Sequence, residues 1–152
     1  MLPNASLLSV GLAAALALVS LGGAFYEFFV VDPFWPRRPD LIQPARGGIS
    51  RRRFWIPAHT AFELALVGAL IAVWEQPAIR LALLVALASH AAMRIWSVFD
   101  FIPKALAFER AEPAAISEEA ARCWARRSRG RLLLDLTTCV TMLAALVAAA
   151  RG

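Results

Sequence analysis

Four stretches of this chain are apolar on every helical face, and that feature leaves few folds open to it. They cover about residues 5–30, 56–74, 78–102 and 132–150. A helix of a soluble domain keeps a polar stripe for water, whereas these have none. A chain of 152 residues has no interior large enough to enclose four such helices. A bilayer supplies the missing apolar surroundings, and about 20 apolar residues are enough to cross it. The composition agrees: 60% of residues are hydrophobic and only 18% are charged, with the charges clustered between the apolar runs. The expected fold is an all-α membrane protein. It is a four-transmembrane-helix antiparallel bundle, folded as a single integral membrane domain over residues 1–152.

The ends of these helices follow from local chemistry. Pro3 and Asn4 precede the first, Asp32-Pro33 stops it, and Phe25, Tyr26, Phe28 and Phe29 form an aromatic belt at its far end. No Lys or Arg precedes this first run, which also exceeds a signal-peptide core, so it reads as a retained helix. The second starts at Ile56-Pro57, with proline tolerated in a first turn. Glu75-Gln76-Pro77 is a tight connection that makes the second and third helices antiparallel neighbours. The third is expected to stop at Pro103.

Two long segments separate the spans. Residues 32–53 are rich in Pro and Arg, which excludes a long helix or packed strand. Their interleaved Phe34, Trp35, Leu41 and Ile42 suggest a loop folded back onto the membrane surface or the bundle. Residues 104–131 are charged, and Ser117 is placed to cap a short amphipathic helix beginning at Glu118-Glu119. Arg37, Arg38, Arg46, Arg51, Arg52 and Arg53 lie in the first segment. Lys104, Arg110, Arg122, Arg126, Arg127, Arg129 and Arg131 lie in the second. The positive-inside rule then puts both long loops in the cytoplasm and both termini outside a cell (inner) membrane. These flanking cations account for the formal charge of +5, so no nucleic-acid partner is expected. Membrane lipids are. Cys123 and Cys139 are not expected to pair, since one or both would face a reducing compartment.

Ionisable groups inside a span are costly and mark candidate sites. Here they are Glu27, His59, Glu63, His90, Arg94, Asp100 and Asp135, and the chain has only these two histidines. At about 1.5 Å per residue, His59 and Glu63 lie about 5 and 10 Å from the loop-side boundary, and Arg94 and His90 about 12 and 18 Å. Asp135 lies near 5 Å, and Thr138 and Cys139 near 10 Å. All four helices thus send polar groups to the same half. His59 with Glu63, and His90 with Arg94, are four apart and share a helix face. Glu63 and Arg94, at similar depth, are candidates for an ion pair between the second and third helices. Asp100 reads as a boundary residue that snorkels into water.

Three chemistries fit this set. His59, Glu63 and His90 could hold a transition metal such as iron, copper, manganese or zinc, with Glu27 or Asp135 completing the shell. The known carboxylate bundles place Glu and His three apart, however, and here His precedes Glu by four. His59 and His90 could ligate a haem, which their differing depths disfavour. A metal-free pocket could instead use a histidine as general base and Arg94 to stabilise an oxyanion.

The runs Tyr26-Glu27-Phe28-Phe29-Val30-Val31-Asp32-Pro33 and Arg94-Ile95-Trp96-Ser97-Val98-Phe99-Asp100-Phe101-Ile102-Pro103-Lys104 resemble a small four-helix membrane family. That family includes the fungal anthrone oxygenases, which oxidise polycyclic phenolic anthrones with molecular oxygen. Members carry Pro-x-Asn where this chain has Pro103-Lys104-Ala105. The resemblance singles out Glu27, Arg94 and the Pro103 turn, and implies oxygen-dependent chemistry on an apolar aromatic substrate. The leading expectation is therefore a membrane oxidoreductase or oxygenase-like enzyme for a lipophilic small molecule, using His59, Glu63, His90 and Arg94 with Glu27 and Asp135. The rivals are an accessory subunit of a larger electron-transfer or photosynthetic complex, and a proton-coupled transporter acting as a homo-oligomer through Glu63 and His90. The enzyme requires a pocket lined by the polar stripes. The subunit requires those groups to be consumed in pairs, with Trp35, Trp55, Trp96 and Trp124 facing partners or lipid headgroups.

Overall fold

The computed structural model describes residues 3–151, and six α-helices account for most of them. They are α1 (Pro3–Tyr26), α2 (Arg51–Ala72), α3 (Pro77–Trp96), α4 (Ile102–Arg110), α5 (Glu118–Ser128) and α6 (Arg131–Arg151). Four helical runs are long and apolar enough to cross a membrane, and they form an all-α bundle with no strand among the described residues. This is the organisation of an integral membrane protein.

Two boundaries differ from the sequence reading, and both differences shape the site. The helix expected from Ile56 begins at Arg51, because three arginines with good helical propensity extend it outward past Pro57. Pro57 therefore sits inside α2, where it forgoes one hydrogen bond to the Arg53 carbonyl. The helix expected to stop at Pro103 instead continues through a π turn, Ser97–Phe101, into α4. Pro103 then falls at the start of α4, where a missing N–H costs little. A second π turn, Glu27–Val31, ends α1. The two runs that carry the family resemblance are thus the two π turns with their flanks. Elsewhere boundaries agree: α6 starts one residue before the expected position, and Ser117 Oγ accepts the Ala120 N–H at 3.3 Å to cap α5.

Around the bundle, α3 packs along α6, α6 along α1, and α1 along α2. Small side chains bring these neighbours close: Ala13, Ala14, Ala17, Ala69, Ala86 and Ala145 are buried in the apolar core around Phe62, Leu66 and Met142. Polar bonds fix the pairs, with Ser89 Oγ donating to Leu134 O at 2.9 Å and Cys139 Sγ to Ala17 O at 3.3 Å. α2 and α3, although joined by a four-residue turn, touch each other at few positions. The circle of helices is left with one loose seam.

The first long loop does fold back. Trp35 and Ile42 are fully buried against Phe101, Ala121, Trp124 and Ala125, making a second core with α4 and α5. Gln43 Nε2 donates to Phe108 O at 2.9 Å and to Ala111 O at 2.8 Å, tying the loop to the end of α4. Gly48 permits the tight return, since a Cβ there would stand 2.2 Å from Asp40 O. This hood covers the polar end of the bundle. Trp35 and Trp124, which the accessory-subunit reading would have facing partners or headgroups, are buried within it.

Trp35→Ala should cost about 3–5 kcal/mol, the usual effect of emptying a buried indole site. Thermal unfolding in detergent, followed by near-UV circular dichroism, reads it. An unchanged transition would mean that the hood does not pack as described.

Candidate functional site

Beneath the hood lies a cleft of about 360 Å³, reached by residues of every helix. Ala24, Glu27 and Phe28 of the first span line it, with Arg51, Arg52, Trp55, Ile56, His59 and Thr60 of α2. Met93, Arg94 and Ser97 come from the α3 run, and Ile102, Ala105, Leu106 and Glu109 from α4. Trp124 and Ser128 of α5, with Arg131, Leu132 and Asp135 of α6, complete the wall. Four predicted site residues therefore share one cavity: Glu27, His59, Arg94 and Asp135. Glu63 and His90 stand beside it.

The axial register explains this gathering. Counted from Arg51, where α2 really begins, His59 lies about 12 Å and Glu63 about 18 Å along the helix. Those levels equal the ones expected for Arg94 and His90. Glu63 Oε1 forms an ion pair with Arg94 Nε at 3.0 Å and lies 3.2 Å from His90 Nε2. The expected α2–α3 ion pair exists, and the same carboxylate oxygen also meets a histidine. His59 and His90, placed far apart by the sequence arithmetic, have ring centroids 5.4 Å apart. Depth counted from expected helix ends was not enough to place them, since both α2 and the α3 run extend beyond the ends expected for them.

Each imidazole has a different environment. Phe62 meets the His90 ring edge-on at 4.8 Å, and Glu63 anchors its Nε2. His59 stacks on Trp55 at 5.1 Å, and its buried Nδ1 has no hydrogen-bond partner among the described residues. Trp55 in turn donates Nε1–H to Glu27 Oε1 at 3.0 Å. The cleft thus has a π-stacked histidine on its wall with a free ring nitrogen.

Arginines dominate the opposite end, and sequence reasoning overlooked the chief one. Arg51 has only 9% of its side chain exposed. Its guanidinium lies between the Trp35 and Trp124 rings, 5.3 Å from each centroid. Glu27 Oε1 stands 3.4 Å and Asp32 Oδ1 3.8 Å from it. The signal was present, since Arg51-Arg52-Arg53 directly precedes an apolar run, but it read as a flanking loop. Arg131 donates to Ser97 Oγ at 3.0 Å and to Ser128 Oγ at 2.6 Å. Asp135 makes no hydrogen bond or ion pair with any described residue. Asp100, expected at the boundary, pairs with Lys104 and Arg127.

The donor set does not fit the metal and haem readings. Among the described residues no group of three or more His, Cys, Asp and Glu side chains is placed to hold a metal ion. Glu63 Oε1 is already shared by Arg94 and His90, and His59 is turned to Trp55. The two imidazoles, tilted by 55° and in packing contact, leave no slot for a porphyrin plane between them. Cys123 and Cys139 are both free thiols. What the cleft offers is a histidine, several cations and the Asp135 carboxylate, which has no hydrogen bond or ion pair among the described residues.

The chain matches no family model, no curated protein and no solved structure.

Asp32 yields a test of the electrostatics just outside the first span. Burial raises its carboxyl from 3.8 to about 6, against the opposing pull of Arg51. The folded state therefore holds this proton more tightly than the unfolded chain. Stability is highest below about pH 4 for this group and declines as pH rises towards 6, by on the order of 2 kcal/mol. Because Asp32 Oδ1 accepts the Trp35 Nε1–H at 3.1 Å, tryptophan emission should titrate near pH 6 and lose that step in Asp32→Asn. An unaltered titration in the variant would remove Asp32 from this role.

Proposed function

We propose that this protein is a membrane-embedded, oxidoreductase- or oxygenase-like enzyme that takes a lipophilic, weakly acidic molecule into the cleft and begins by removing a proton. The observation that carries this reading is His59, an imidazole on the cleft wall whose Nδ1 has no hydrogen-bond partner among the described residues. An imidazole on the cleft wall is the residue type suited to act as general base on a substrate proton. Removing a proton from a phenol or an activated C–H leaves negative charge on substrate oxygen. Arg94 and Arg51, which both line the cleft, are the cations that stabilise such an oxyanion. Glu27 positions this end of the site through Trp55, which stacks on His59. Asp135, an unpaired carboxylate, is a second proton-handling group.

The cleft volume lies at the lower end of the range for small-molecule sites. The resemblance of the two π-turn segments to the anthrone oxygenase family supports molecular oxygen as oxidant and an aromatic substrate. The accessory-subunit reading asks for paired groups and no cavity, and His59 and Asp135 weigh against it. On this proposal the arginine-rich hood lies on the cytoplasmic face of a cell membrane, with both termini outside.

Oxygen uptake by purified protein in lipid nanodiscs, with a polycyclic phenolic anthrone as probe, tests the reading. His59→Ala should reduce turnover by about 10²–10⁴-fold, the usual contribution of a general base. Retained turnover in that variant would exclude His59 as the base. No turnover in the wild type would put the accessory subunit ahead. Elemental analysis and an optical spectrum of the wild type and of His59→Ala with His90→Ala should show no histidine-dependent metal or Soret band. A transition metal or haem lost in the double variant would restore the cofactor readings.

A further inference from the structure

We infer that the cleft is filled from the lipid and not from water, through the loose seam between α2 and the continuous α3–α4 run, and that its ligand is an amphiphile entering polar end first. This deepens the proposed function and rests on the cleft being a ligand site.

The geometry leaves few other ways in. On the polar end, the hood roofs the cavity: Trp35 is 0% exposed, Trp124 is buried beside it, and Gln43 ties the loop to α4. Between α1 and α6 the helices pack closely, and Arg129 covers Phe28 at 4.6 Å from its ring centroid. Among the described residues, α2 and α3 are the neighbouring helices whose backbones stand furthest apart, and long side chains such as Phe62, Glu63, His90 and Arg94 bridge them. The lining residues with outward exposure include Ile56 and Thr60 on one side of this boundary and Ile102 on the other. These three are apolar or weakly polar, as a lipid-facing mouth requires, while the exposed Arg52 and Arg129 line the cleft towards the hood end.

Two ion pairs bracket the mouth. Arg52 Nη2 meets Glu109 Oε2 at 2.6 Å, joining α2 to α4 at the hood end. Glu63 meets Arg94 at 3.0 Å, joining α2 to α3 deeper in the bundle. Glu109 has only 5% of its side chain exposed while Arg52 is 56% exposed, so the pair spans from the seam to the surface. Both pairs cross the boundary where the helix backbones stand apart and side chains alone make the join. A ligand that slips between them meets Ile56, Ile102 and Leu106 with its apolar body. Its polar end reaches His59, Asp135 and the arginines. A molecule with no polar end leaves those charges unmatched, and one with no apolar body gains nothing in the mouth.

The test places a thiol on the cleft floor. Cys123→Ser removes the exposed native cysteine, and Met93→Cys puts a reporter on α3, with Leu132→Cys on α6 as a second in case the first misfolds. Protein in phosphatidylcholine nanodiscs is treated with lipid-soluble N-phenylmaleimide or with a charged, membrane-impermeant methanethiosulfonate. The maleimide should label the reporter and the charged reagent should not, with Cys123→Ser alone as the background for Cys139. Arg52→Gln with Glu63→Gln should then speed maleimide labelling about two- to five-fold, the change expected when partly exposed ion pairs are lost. Labelling by the charged reagent at an equal or higher rate would establish an aqueous route and overturn the inference. So would a maleimide rate that ignores the loss of both pairs. Labelling requires no turnover, so failure of the enzymatic proposal leaves this result standing, and turnover combined with aqueous labelling sinks the route alone.

Discussion

One guanidinium couples the parts of this molecule, because a charge placed where water cannot reach must draw several elements around itself. Arg51 belongs to α2, yet the rings that sandwich it come from the first loop and from α5, and the carboxylates beside it close the end of the first span. Removing both carboxylates would leave an uncompensated charge in low dielectric, a penalty of several kcal/mol. The same penalty explains why the hood is folded and not a floppy loop, since Trp35 must remain in place over Arg51. Two indole contacts of this kind contribute on the order of 1–2 kcal/mol each when desolvated.

The two π turns have a comparable influence on the site. A π turn inserts one residue into a helix and rotates the next segment, so side chains before and after it no longer share a stripe. The first, at Glu27–Val31, leaves Glu27 on the cleft wall and brings Asp32 round to Trp35 and Arg51. The second, at Ser97–Phe101, lets the helix carry on into α4, which supplies Glu109 and the outer lip of the cleft. Without the second turn, Pro103 would end the helix, as its position implies, and the seam would have no hood-side latch.

Legibility in the sequence varied with how local the cause was. The spans, the capped helix at Ser117 and the folded first loop were readable because hydropathy, side-chain capping and interleaved aromatics act over a few residues. The pairing of Glu63 with Arg94 was readable because helical rise converts residue number into depth. The meeting of His59 with His90 was hidden, since both helix ends from which their depths were counted lie elsewhere than expected. Arg51 was hidden for a different reason: its sequence neighbours suit a membrane boundary, and only the remote Trp35 and Trp124 make it interior.

By itself the sequence determined which segments prefer lipid, that they must be helical there, and that their polar groups crowd one half of the bundle. Those outcomes rest on properties each segment carries alone, chiefly apolar transfer and the need to satisfy every backbone group internally. Only the tertiary structure decided which helices pack closely, which seam stays loose, and which ionisable groups keep a free valence. These depend on the axial register and rotation of helices far apart in sequence. The energies involved come from interdigitating side chains and buried charge pairs, and they are shared between residues that no local pattern connects. His59 and Asp135 therefore remained candidates until the bundle closed around them and left both without a partner among the described residues.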